Sequence, residues 1–246
     1  MARHPRVANL TYAFGPGPMT PAVKYLLWAN IGIFLATVLF SPLRQWLGLV
    51  PEFVVRSHWL WQPVTYMFVH GSIVHILFNM LALWMFGVEL ERLWGTRFFA
   101  KYYAITGIGA GVLTVLIALL PFPATAHVFV ENTIGASGAI YALLVAFAIY
   151  YPDRPILMFL LFPIPAKYFV MIIGAISFLN SATVNSRVAE ITHLSGLVIG
   201  YLYLQGGRGG LTAEVKYRYL KWKMNRLRRK FDVYSGGRSD WDRRVH

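Results

Sequence analysis

The sequence predicts an all-α membrane protein built from six transmembrane helices, and three observations carry that prediction. The chain of 246 residues is 57% hydrophobic and only 13% charged, with a mean hydropathy of +0.52. Soluble domains hold roughly 45–50% apolar residues. The apolar residues are gathered into runs near the length of about 20 that a helix needs to span a bilayer. The Lys and Arg cluster at one set of ends of those runs.

The runs fall at about 23–40, 72–88, 98–120, 137–151, 166–181 and 189–205. Between the fourth and fifth lies "PDRPILMFLLFPIPAK". Its prolines break a continuous helix, so Ile156–Phe162 is expected as an interfacial turn rather than a seventh span. An even number of spans puts both termini on one side. Of the 23 Lys and Arg, only Arg44, Arg56 and Arg187 lie on the opposite side. The positive-inside rule then makes both termini cytoplasmic. The net charge of +13 is thereby read as topology, and no nucleic-acid partner is expected. The expected organisation is a cytoplasmic tail at 1–22, a membrane domain at 23–205 and a basic cytoplasmic tail at 206–246. The expected location is the cell membrane. The first twenty residues are polar and rich in Pro and Gly, so no cleavable signal peptide is expected. The chain has no cysteine, which excludes disulfides, thiolate catalysis and Cys-ligated metals.

The first external connection, about 41–71, carries Trp46, Trp59, Trp61, Tyr66 and Phe68. Rings at that density suit a segment lying in the membrane interface. The third connection, about 121–136, is external as well, so Ser137 heads the fourth span from the outside. That span is short: about 15 residues rise only about 22 Å against a hydrocarbon thickness near 30 Å. Anchored at its inner end by "YYPDR", it leaves Ser137 at the bottom of a depression open to external water. A helix start offers unpaired N–H groups and the positive end of a dipole, which together stabilise an oxyanion. Gly135 and Gly138 let the backbone approach a substrate carbonyl. Taken alone, "GASGAIYALL" leaves two readings open. Ser137 is a nucleophile, or it belongs with Gly138, Ala142 and Ala146 to a small-residue packing face.

The sixth span also enters from outside and carries His193 near its start, in "EITHLSGLVIG". Ionisable groups within spans are functional candidates by default. Gly196 and Gly200 share a face suited to close approach by another small-residue helix, and the fourth span is the obvious partner. That contact brings His193 near Ser137 as general base; the competing reading is a structural interhelical hydrogen bond. The second span opens with "HGSIVHILFN". His75 and Asn79, four apart, share a helix face and match the side-chain donors of an oxyanion hole. A metal reading would take His70, His75 and His193, but no carboxylate is near, since Glu89 and Glu91 lie at the other end of the span. Glu190, three before His193, is the only local carboxylate for a triad. It is expected at the external mouth, away from the chemistry, so the reading is a dyad. Tyr141, one turn after Ser137, then fixes the imidazole by ring packing.

Taken together, "HGSIVHILFN", "GASGAIYALL" and "HLSG…G" resemble the rhomboid family of intramembrane serine proteases, across about Trp61 to Gly200. The resemblance implies Ser137 as nucleophile and His193 as general base. It implies His75 and Asn79, with the backbone around Ala136, as the oxyanion hole. His70 maps to a structural histidine beside the first loop, and Tyr141 to the tyrosine stacked on the catalytic histidine. Gly135, Gly138, Gly196 and Gly200 support the site. The implied fold is a six-helix rhomboid-like bundle with a membrane-embedded first loop and a gate formed by the fifth span and the external cap loop. The implied partners are transmembrane protein substrates cut at helix-weak segments; no cofactor and no metal are expected. Two departures stand out. Gln62 replaces an arginine after Trp61, so that arginine's contacts are not expected here. Thr192 replaces the usual small residue before His193, so a looser contact between the fourth and sixth helices is expected. The motif is not the G-x-S-x-G elbow of α/β-hydrolases, because position 139 is Ala and no strand pattern precedes it.

The segment 214–231, "EVKYRYLKWKMNRLRRKF", sets Tyr217, Leu220, Met224, Leu227 and Phe231 at helical spacing among basic residues. It reads as an amphipathic helix on anionic lipid of the cytoplasmic leaflet, or else as a solvated tail. Two other function classes compete with this one. A non-catalytic rhomboid-like client-binding protein would lack the serine or histidine, and a small transporter would show repeated halves.

Overall fold

The computed structural model describes residues 15–158, 161–181, 187–207 and 221. The first fourteen residues and nearly all of the predicted basic tail, including the amphipathic segment 214–231 apart from Lys221, lie outside the described residues. The described residues up to Tyr203 form one compact unit.

The elements run α1 Pro21–Leu39, α2 Pro42–Leu47, α3 Pro51–Arg56, α4 Gln62–Thr65 with a 3-10 turn Tyr66–Phe68, and α5 Ile73–Ala82. A π turn, Leu83–Gly87, joins α5 to α6 Val88–Trp94, and α7 Thr96–Ala118, α8 Pro123–Val130 and α9 Ser137–Tyr150 follow. The strands β1 Pro155–Met158 and β2 Phe162–Pro165 precede α10 Ala166–Ser181 and α11 Arg187–Gly207. Helices therefore occupy all six predicted ranges. Three stretches, Pro21–Leu39, Ile73–Trp94 and Thr96–Ala118, are long and apolar enough to cross a membrane, and Ser137–Tyr150 and Ala166–Ser181 are shorter apolar helices.

Two expectations are corrected. The protein is not wholly α: the predicted turn at Ile156–Phe162 is an antiparallel hairpin pairing Ile156 with Ile164 and Met158 with Phe162. Prolines at 155, 163 and 165 lack an N–H and forbid helix, but an extended strand tolerates them. The second helical stretch also runs past the predicted residue 88, to Trp94. Its extension brings Glu91 to the start of α1, where the carboxylate accepts from the Thr20 hydroxyl, from the backbone N–H of Ala22 and Val23, and from the Thr96 hydroxyl. Glu91 is buried, and its charge is met by four donors, two of them orphan N–H groups of a helix start.

α9 is the hub. Ala139, Ala142, Leu143 and Ala146 are fully buried. Small residues decide its neighbours. A Cβ added at Gly196 of α11 would lie 2.0 Å from the Gly138 carbonyl oxygen, and one at Gly200 would lie 2.8 Å from Ala142 Cα. On the α7 side, a Cβ at Gly107 would lie 3.1 Å from that of Ala139. Only the crossing of α11 on α9 is backbone to backbone, as close small-residue packing requires; Gly107 faces the Met67 and Ala139 side chains.

Loop 41–71 folds into short helices that grip the approach to Ser137. Leu49 and Thr133 exchange both backbone hydrogen bonds at 2.9 Å. The Gly135 N–H donates to the Tyr66 carbonyl at 2.9 Å, and the Tyr66 hydroxyl donates to Gly107 O at 2.7 Å. Gln62 is fully buried, accepting from Val50 N–H at 3.0 Å and donating to Gln45 O at 3.2 Å. The residue that departs from the family arginine is thus an internal brace of the loop. Outside, Trp61 stacks near Trp59 and packs on Trp46, and its indole N–H donates to Trp46 O.

Candidate active site

Gly135 makes the turn that delivers Ser137. Its φ of +123° is a conformation L residues rarely adopt. A Cβ there would lie 2.8 Å from His75 Nε2 and 3.6 Å from Ser137 Oγ. The glycine therefore leaves a small space between the two side chains. Ser137 is the first residue of α9, after Ala136 at the cap position, so the leading N–H groups of the helix open beside its hydroxyl.

His193 reaches the same point from α11. Its Nε2 lies 2.8 Å from Ser137 Oγ. Tyr141 stacks on the imidazole almost parallel, with centroids 4.3 Å apart and planes 8° from each other, and its hydroxyl meets Ser177 Oγ of α10 at 3.1 Å. The predicted meeting of Ser137, His193 and Tyr141 is thus found as geometry. Thr192 does not loosen the contact between α9 and α11, contrary to expectation. Its hydroxyl turns to Thr114 of α7 at 2.9 Å and to Val188 O on its own helix, away from the Gly138–Gly196 crossing.

Glu190 is the second correction at the site. Expected at the mouth and apart from the chemistry, its Oε2 lies 3.2 Å from His193 Nδ1. Both side chains are mostly covered, with 14% and 19% of their surface exposed. Residues three apart on a helix are neighbours, and that spacing was the available signal. What the sequence hid was the partner on α10, where Asn180 donates to Glu190 Oε1 at 3.5 Å.

His75 enters from α5, whose start is capped by the Ser72 hydroxyl accepting from His75 N–H. The Gly71 N–H points at His75 Nδ1 at 3.4 Å. An acceptor at Nδ1 leaves the proton on Nε2, the nitrogen that faces Gly135. His75 therefore presents an N–H donor to the space beside Ser137. Asn79 differs: its Nδ2 donates to His75 O, one turn back on the same helix, and its Oδ1 is buried without a partner. No contact ties Asn79 to Ser137 among the described residues. His70 is fully buried and packs edge to face on His75, centroids 5.0 Å apart. Among the described residues, no three His, Cys, Asp or Glu side chains are grouped as a metal site needs.

Residues 57–207, more than half of the chain, match the model of the Rhomboid domain. The chain is 28% identical over 188 residues to Rhomboid protein 1, mitochondrial, of Saccharomyces cerevisiae, covering 73% of this chain and 52% of that protein. Rhomboid-like protein 15 of Arabidopsis thaliana is 30% identical over 161 residues, 64% of this chain and 39% of its own. Rhomboid-related protein 4 of Rattus norvegicus is 31% identical over 205 residues, 79% and 60%. The aligned regions therefore take in about half the length of the curated relatives. The matched span holds Ser137, His193, His75 and the glycines that bring them together, and it assigns this chain to the rhomboid family, whose members are embedded in membranes.

Proposed function

We propose that the protein is an intramembrane serine endopeptidase that hydrolyses peptide bonds of transmembrane substrates near the extracytoplasmic face. The observation that carries the reading is the 2.8 Å contact of Ser137 Oγ with His193 Nε2. Oγ–H donates to Nε2; as Oγ attacks the scissile carbonyl carbon, the proton passes to the imidazole. The carbonyl oxygen becomes an oxyanion, met by the His75 Nε2–H and by the free N–H groups at the start of α9. Collapse breaks the C–N bond, and the imidazolium returns its proton to the leaving amine. Water then attacks the acyl-serine, giving its proton to Nε2, and the new carboxyl end departs as Oγ is reprotonated. Asn79, one turn after His75 on α5 and donating to the His75 carbonyl, is proposed as the second side-chain donor of the oxyanion hole.

The six helices are read as six spans with both termini cytoplasmic, on the strength of the Lys and Arg distribution. Ser137 and His193 then both open toward the outside. The cell membrane is the proposed location, and the basic tail is the proposed contact with anionic lipid. Substrates are segments whose helix is weak, because hydrogen bonds within a regular helix shield the peptide bond.

The test is cleavage of a transmembrane reporter with a helix-weak segment by protein reconstituted in vesicles. Ser137→Ala and His193→Ala are each expected to abolish cleavage and labelling by a serine-directed fluorophosphonate while melting as the wild type does. Cleavage at the wild-type rate by both variants would refute the reading.

A further inference from the structure

We propose that Glu190 is a positioning residue for His193, one that fixes which imidazole nitrogen carries the proton. The proposal rests on the serine-peptidase reading and deepens it, turning a pair into a line of three side chains.

Nε2 can accept the Ser137 proton only if it is bare, and a neutral imidazole is bare at one nitrogen alone. Neither Ser137 nor Tyr141 makes that choice. A hydroxyl either donates or accepts at Nε2, and the stacked Tyr141 ring, with planes 8° apart, sets the plane of the imidazole but not its tautomer. Glu190 does choose. An ionised carboxylate only accepts, so Oε2 at 3.2 Å from Nδ1 calls for hydrogen on Nδ1 and leaves Nε2 open toward Oγ at 2.8 Å. The carboxylate is one turn before His193 on α11, which keeps it on the same helix face through small motions of that helix.

α10 holds both groups that hold the imidazole. Asn180 faces Glu190 Oε1 at 3.5 Å, and Ser177 meets the Tyr141 hydroxyl at 3.1 Å. Stacking and hydrogen bonding thus restrain different freedoms of one ring: its plane by Tyr141, its rotation and tautomer by Glu190. Glu190 touches neither the attacking oxygen nor the space beside Gly135, and it acts through His193 alone.

The experiment uses the full chain in detergent micelles, with Glu190→Ala and Glu190→Gln beside the wild type. Three quantities are read: kcat and KM on the reporter, the rate of fluorophosphonate labelling, and the nitrogen-15 NMR signal of His193, which distinguishes the tautomers. Glu190→Ala is expected to lower kcat and labelling roughly tenfold or more with KM unchanged. Its His193 signal becomes a mixture of tautomers. Glu190→Gln, whose amide oxygen still accepts from Nδ1–H, recovers the single tautomer and part of the rate. Wild-type kcat in Glu190→Ala, or a fall in kcat with the tautomer signal unchanged, overturns the proposal. A wild-type protein that neither cleaves nor labels sinks the peptidase reading instead, and the NMR signal still decides the part played by Glu190.

Discussion

Gly196→Ala is the most exacting test of how the fold makes the site, because the added methyl meets backbone and not a side chain that can swing away. Its Cβ would lie 2.0 Å from the Gly138 carbonyl oxygen, 2.9 Å from the carbonyl carbon and 3.2 Å from Cα. Carbon–oxygen contacts between helices settle near 3.3 Å or beyond, so α11 must withdraw from α9 by roughly 1.3 Å. His193 lies one turn away on the moving helix and Ser137 sits next to Gly138. A withdrawal of that size takes their 2.8 Å contact toward about 4 Å, outside hydrogen-bond range. The expected loss is on the order of a hundredfold in fluorophosphonate labelling. Overpacking should also lower stability by about 1–3 kcal/mol. The assay is the second-order labelling rate of purified protein in detergent, with a thermal melt on the same sample. Gly32→Ala serves as the control, since nothing lies within 4 Å of a Cβ there. If Gly196→Ala labels at the wild-type rate, close backbone packing is not what delivers His193, and the reasoning fails.

Gly135→Ala combines an unfavourable φ of +123° with a Cβ 2.8 Å from His75 Nε2. Reporter cleavage should fall about a hundredfold or more, since the turn or His75 must move by about 1 Å; activity within threefold of wild type would contradict the geometry. Tyr141→Phe keeps the stack and loses only the Ser177 hydrogen bond, whereas Tyr141→Ala loses the stack. The labelling rate is expected to change little in the first and to drop up to about tenfold in the second, in line with the roughly 0.5–1.5 kcal/mol of a ring pair. Equally lowered rates in the two variants would assign Tyr141 to its hydroxyl instead, and two wild-type rates would leave it no part. Glu91→Ala strands two backbone N–H groups and two hydroxyls at the start of α1 and α7. A loss of about 2 kcal/mol or more is expected as a lowered melting temperature, with the labelling rate of the folded fraction unchanged. A melt matching wild type would show that the cap contributes nothing.

Helix positions and the convergence of Ser137 with His193 were legible because they rest on local rules. Long apolar runs make helices in lipid, and Gly138, Ala142, Gly196 and Gly200 mark the faces where backbones can meet. A residue's role is not legible where distant chain sets it. Glu190 reads as a residue of the external mouth, because nothing in "EITHLSG" reveals its partner on α10. Thr192 looked like a spacer too large for its crossing, since only the third dimension supplies Thr114 to take its hydroxyl. Gln62 looked like a lost arginine, yet it braces the loop through Val50 and Gln45. The hairpin at β1–β2 was missed for a different reason: prolines announce a break without saying what the chain does next.

Glu91 carries one more consequence, for the order in which the molecule is made. The N–H groups of Ala22 and Val23 find their acceptor 69 and 68 residues further along. A chain that has not reached residue 91 lacks this acceptor for the leading turn of α1. The front of α1 closes on Glu91, at the same carboxylate that meets the Thr96 hydroxyl at the first turn of α7. One acidic residue thus joins the start of α1 to the junction of α6 and α7. A ribosome-bound chain ending before residue 91 should hold α1 with frayed amide protons at its start. A chain extended past Thr96 should protect them.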